Sequence, residues 1–198
     1  MAGTVVDSGR EPGVQIELVE RARGGDREAF AVLAAGAIDR LYATARLILR
    51  DADLAEDATQ DALVHAWRNL PTLRDAERFD AWLHRLLVRS CSDIGRHRRR
   101  WRAQVAILPR EPAEPDGTSG IADREQIERG LLRLTDAQRT ILVLNFYVGL
   151  SPTETADALE IPVGTAKSRL HYAIDALRAA IVADERTPVG AAREGRTA

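Results

Sequence analysis

Lys167, Ser168 and Arg169 stand side by side, with Thr165 just before them and His171 and Tyr172 just after. Arg and Lys side chains donate to guanine, and Ser and Thr donate to bases or to phosphate. Four such residues within five positions, followed by His171 and Tyr172, therefore suit nucleic-acid contact. A second group lies upstream: Arg85, Arg89, Arg96, Arg98, Arg99, Arg100 and Arg102 are accompanied by a single acid, Asp93. Cations at that density suit a phosphate backbone, and Asp93 is read as the ion-pair partner that orders arginines.

Other chemistries find no support. There is no P-loop or dinucleotide glycine pattern, so neither a cofactor nor a small-molecule substrate is expected. Cys91 has no suitably spaced base, and His65, His84, His97 and His171 are scattered. One cysteine cannot form an internal disulfide, and no Cys/His pair has the spacing of a zinc site, so no metal and no catalytic residue is assigned. No apolar run is long enough for a membrane span, and residues 1–13 lack the basic start and apolar stretch of a secretory signal, which places the chain in the cytoplasm.

The net charge of −2 over 198 residues points away from nucleic acid, but it conceals an asymmetry. The segment from Arg85 to Arg102 carries +6, leaving −8 to the remainder. Arginine outnumbers lysine 27 to 1, which a GC-rich genome would also produce, so the clustering is the stronger signal.

The elements that must position these groups are helical throughout. Alternation of apolar and polar residues is absent, as are Asn-Gly and Asp-Gly turns. A first helix is expected from about Val14 to Arg23, ending at Gly24-Gly25. Asp26 caps a second, whose apolar face is Phe30, Leu33, Ile38, Leu41, Ala45 and Ile48, with Gly36 as a break. Asp53 and Glu56 resemble a capping box for a helix ending near Leu70. After a loop from Pro71 to about Glu77, Phe79, Trp82, Leu83, Leu86 and Leu87 recur at helical spacing and lead into the arginines. Phe79 and Trp82 are read as core.

Residues 103–122 break the pattern with Pro109, Pro112, Pro115 and several acids, and read as a flexible acidic linker. The fold class is thus all-α, with two small helical domains, 14–102 and 123–183, joined by that linker. Tails at 1–13 and 184–198 are expected to be disordered. In the second domain Thr135 and Gln138 form a capping-box pattern. Ile141, Leu142, Leu144 and Val148 are its buried side, and Gly149 stops the helix. Ser151-Pro152-Thr153-Glu154 then opens a short helix. The turn Ile161-Pro162-Val163-Gly164 leads to a last helix backed by Ala166, Leu170, Ala173, Leu177 and Ile181. That is a helix-turn-helix, with the Thr165 to Tyr172 set facing a major groove; a solvated face of a small bundle is the alternative.

Four stretches resemble bacterial extracytoplasmic-function (ECF) sigma factors. Ile161 to His171 is similar to the region 4 signature of that family, and Leu134-Thr135-Asp136-Ala137-Gln138-Arg139 to the opening of the same region. Ala55 to Ala62 with Ala66-Trp67 resembles region 2, as does Phe79 to Arg85 with Asp93 and Arg96 to Arg100. The resemblance implies that Asp57, Gln60, Asp61 and Trp67 dock on core RNA polymerase. It implies that Arg85, Arg89, Arg96, Arg98, Arg99 and Arg100 serve the −10 element of promoter DNA. Thr165, Lys167, Ser168, Arg169, His171 and Tyr172 would serve the −35 element. It further implies an anti-sigma factor held between the two modules. The sequence departs from the family in Arg89, where many members carry Asn, and in His171-Tyr172-Ala173-Ile174, where a second basic pair is usual. A helix-turn-helix regulator that never joins polymerase is the competing reading.

Overall fold

The computed structural model describes residues 12–104 and 122–185. Every regular element among the described residues is helical, as the absence of strand patterning requires. The expected tails and acidic linker lie almost wholly outside the described residues. The chain forms two compact units.

In the first unit, α1 (Pro12–Arg23) packs on α2 (Arg27–Leu49), α2 on α3 (Ala52–Asn69), and α3 on α4 (Phe79–Gln104). The Asp26 carboxylate accepts from the backbone N–H groups of Glu28 and Ala29, capping α2, and also takes the Arg21 guanidinium at 2.7 Å. These hydrogen bonds, the Ala29 amide foremost, then Arg21 and last Glu28, hold the Asp26 carboxyl below its usual range. One side chain thereby links the end of α1 to the start of α2.

Helix α2 does not break at Gly36. Its buried face, Ala29, Leu33, Ala37, Leu41, Ala45 and Ile48, runs at helical spacing through both sides of the glycine, and that packing outweighs glycine's roughly 1 kcal/mol penalty. The cap of α3 also differs from expectation. Asp51, not Asp53, is the N-cap, its side chain accepting from the Leu54 N–H at 3.2 Å. The buried face of α3 is small throughout, Ala55, Ala58, Thr59, Ala62 and Ala66, which lets its neighbours come close. Two short 3-10 turns, Leu70–Thr72 and Ala76–Arg78, occupy the expected loop before α4. Phe79, Leu83, Leu87, Val88 and Cys91 then fill the core from α4, while Trp82 is only half-buried against Phe79.

The second unit contains α5 (Ala122–Leu132), α6 (Asp136–Leu142), the first part of α7 (Pro152–Leu159) and α8 (Val163–Glu185). The capping box of α6 is complete: Gln138 N–H donates to the Thr135 hydroxyl, and Thr135 N–H donates to the Gln138 side chain. Arg139 is only 4% exposed. Its guanidinium donates to the carbonyls of Leu131, in the last turn of α5, at 3.1 Å and of Leu134, just beyond that helix, at 2.8 Å. After Leu142 the chain widens into a π turn, Val143–Tyr147, and leaves it through Gly149, whose φ of +83° a side chain would strain. Val148, expected in the core, is half-buried. Ser151 and Glu154 cap α7 reciprocally, each side chain accepting from the other's backbone N–H. α8 lies on α5 and α6 through Ala166, Ala173 and Ala180, with Leu170, Leu177 and Ile181 half-buried.

Candidate nucleic-acid interfaces and docking face

On α3, Asp57, Gln60 and Asp61 are exposed. Trp67 is half-buried, its ring 5.1 Å from that of Phe30 on α2. Beside it a groove of about 810 Å³ runs between the two helices, lined by Phe30, Ile38, Tyr42, Leu63, Val64 and Trp67, with Gln60 on its wall. The structure therefore gathers Gln60 and Trp67 on one apolar groove and leaves Asp57 and Asp61, four residues apart, on the adjoining surface of α3. Ile38 corrects the sequence reading. It is 45% exposed, because the buried stripe runs through Ala37 and Leu41. Ile38 and Tyr42 form a parallel pair one residue further on, and that offset is the signal that would have assigned them to the groove.

Along α4, Arg85, Arg89 and Arg96 are exposed and recur at intervals of four and seven, so they share one face. Asp93 pairs with Arg96, the ordering role expected of it. Arg98 does not join that face: its Nη1 lies 3.3 Å from Asp51 Oδ2, tying α4 to the start of α3. The side chains of Arg99 and Arg100 lie outside the described residues.

Two buried groups sit behind this face. His84 is 2% exposed, and its Nδ1–H donates to the Asp80 carbonyl at 2.8 Å while Nε2 meets no partner. Burial, reinforced by the Arg40 guanidinium, depresses the His84 pKa against the opposing pull of Asp80. Cys91 is buried as a free thiol, and burial pushes its pKa up to about 12.

On α8, Lys167, Ser168, Arg169, His171 and Tyr172 are exposed and Thr165 is half-buried. The Ser168 hydroxyl donates to the Gly164 carbonyl at 2.7 Å, so it meets an outside group as an acceptor. One residue was missed by sequence reasoning. The Asp175 carboxylate lies 3.4 Å from His171 Nε2 and 3.4 Å from Arg178 Nη1, between the two along the helix. Its spacing of four from His171 and three from Arg178 was the available signal. Among the described residues there is no group of His, Cys, Asp and Glu able to hold a metal ion, and no helix long and apolar enough to cross a membrane.

Comparison with known proteins bears on both units. The family described as Sigma-70 region 2 matches residues 36–103, and Sigma-70 region 4 matches residues 130–179. The RNA polymerase sigma-E factor of Streptomyces coelicolor is 33% identical over 158 residues, 80% of this chain and 89% of the relative. The ECF RNA polymerase sigma factor SigM of Mycobacterium tuberculosis is 34% identical over 161 residues, covering 81% of each. Among solved structures, the sigma factor RpoE in complex with the anti-sigma factor NepR from Bartonella quintana aligns with a TM-score of 0.67 at 25% identity, over 78% of this chain and 98% of that one.

Proposed function

The chain belongs to the ECF RNA polymerase sigma factors, and from that premise we propose how its two units share the work of a promoter-specificity subunit. The observation that carries the reading is the presence of both matched regions, in order, in one chain. A helix-turn-helix regulator acting alone has no use for the first of them. Sigma factors are regulatory subunits, so the phosphoryl-transfer chemistry belongs to the polymerase.

In the first unit, α3 docks on core polymerase. Asp57 and Asp61 supply charge that complementary arginines steer toward, and the groove beside Gln60 and Trp67 supplies apolar area around an aromatic anchor. The α4 stripe of Arg85, Arg89 and Arg96 follows the backbone of the −10 element as it opens, and Arg99 and Arg100 are assigned to the same element from the sequence alone. Arg98 serves this surface indirectly, by fixing α4 to α3. In the second unit, the first turns of α8 enter the major groove of the −35 element. Lys167 and Arg169 read or neutralise, Ser168 and Thr165 add short polar contacts, and His171 and Tyr172 follow one turn on. The site of action is the cytoplasm, where polymerase and promoter meet. An anti-sigma factor controls access, as NepR binds the similar RpoE.

Run-off transcription with core polymerase on a promoter library tests this reading. Initiation that depends on the chain is the expected result; no initiation at any template together with no core binding refutes it. Lys167→Ala and Arg169→Ala are expected to weaken initiation at promoters that require a −35 element by about 10-fold or more, leaving core binding unchanged. Loss of core binding in either variant contradicts the assignment of α8.

A further inference from the structure

Tyr172 is 68% exposed, matched among the large apolar side chains of the described residues only by Phe146. A single exposed ring is ordinary on a protein surface, so its position decides what it means. Thr165, Ser168, Arg169 and Tyr172 follow one another at i, i+3, i+4 and i+7, which puts them on one flank of α8. Lys167 and His171, four apart, lie on the other flank, and Asp175 draws His171 along the helix. On the Tyr172 flank the one formal cation is Arg169. The Ser168 hydroxyl proton is committed to Gly164, and the Tyr172 ring, its centroid 6.0 Å from that of His171 and tilted by 58° to it, stays largely exposed.

Beyond a guanidinium that suits guanine, this flank therefore presents an aromatic ring in place of another cation. The edges of base pairs in the major groove carry hydrogen-bonding groups and one apolar group, the C5-methyl of thymine. We infer that Tyr172 is a specificity-determining residue that packs its ring on the C5-methyl group of one thymine in the −35 element, next to the base read by Arg169. The inference rests on the reading that α8 enters the major groove. The phenol hydroxyl is not needed for it, because the contact is made by the ring.

The experiment uses the full chain with core polymerase and a −35 element selected from random sequence upstream of a fixed −10 element. Each thymine of either strand is replaced in turn by deoxyuridine, which removes the methyl and nothing else. One thymine is expected at which the replacement lowers promoter binding about 4-fold, the effect of burying one methyl group. Tyr172→Ala abolishes the difference between thymine and deoxyuridine at that position, and Tyr172→Phe keeps it. A selected element without thymine, no thymine that responds, or a response that persists in Tyr172→Ala overturns the proposal. So does a loss in Tyr172→Ala that is equal on both templates, which assigns the ring to a protein partner or to the packing of α8. If scrambling the −35 element has no effect and Lys167→Ala and Arg169→Ala are both silent, the reading of α8 itself has failed, and Tyr172 falls with it.

Discussion

At the residue scale, His84 shows how a side chain with one unpartnered ring nitrogen can still govern the protein. Its neutral ring is fixed as the Nδ1–H tautomer by the Asp80 carbonyl, so an added proton goes to Nε2, which has no acceptor. Its pKa lies below the ordinary 6.5 in the folded chain and returns to that value on unfolding. The unfolded state then binds a proton that the native state refuses, and stability is complete above about pH 6.5 and falls as the pH drops below it. Urea unfolding followed by tryptophan fluorescence is expected to show a lower midpoint at about pH 5 than at about pH 7.5. In His84→Gln, which stays neutral, that part of the pH dependence is lost. An identical pH dependence in the variant assigns the effect to other groups. Nothing in the sequence marked this residue, because a scattered histidine reads the same whether its ring is wet or buried. Arg139 was legible only as part of a motif. Its structural work, bonding the carbonyls of Leu131 in α5 and of Leu134 beyond it, depends on a chain reversal that residue types alone do not specify.

At the element scale, legibility followed local chemistry. The caps at Asp26, Thr135 and Ser151 were readable because a short polar side chain binds amides two or three residues on, a relation contained within the sequence window. The break expected at Gly36 failed because propensity is a local term, and the packing of Leu33, Ala37 and Leu41 across the unit is larger. The π turn after α6 has no signature of its own: an inserted residue keeps the helical pattern while shifting its phase. Helix α5 is placed by its partner. At Gly130 an added Cβ would lie 2.9 Å from Leu177 Cδ1 and 3.1 Å from Ile181 Cγ1 of α8. Gly130→Val is therefore expected to destabilise the second unit by about 1–3 kcal/mol, through overpacking. Thermal unfolding by circular dichroism measures this, and a variant as stable as the parent shows that α5 and α8 can part without cost.

At the scale of the whole molecule, a net charge of −2 is a poor guide to binding, since the charges that matter are arranged by helix face. Arg85, Arg89 and Arg96 were visible as a cluster, but that they share a surface while Arg98 turns to Asp51 is a property of the packed unit. Replacing the three exposed arginines by alanine is expected to lower the salt dependence of promoter binding, flattening the slope of log K against log salt by about 2, as the loss of three single-strand phosphate contacts requires. An unchanged slope removes this stripe from the nucleic-acid surface. The buried thiol of Cys91 has a bearing on how these two units can be observed at work. The chain's one native sulfhydryl is shielded and protonated, so maleimide dyes will pass it by while the protein is folded. Cysteines introduced at one exposed site on each unit would then be the reactive handles, and the distance between the units on a promoter becomes measurable by energy transfer without removing any native residue.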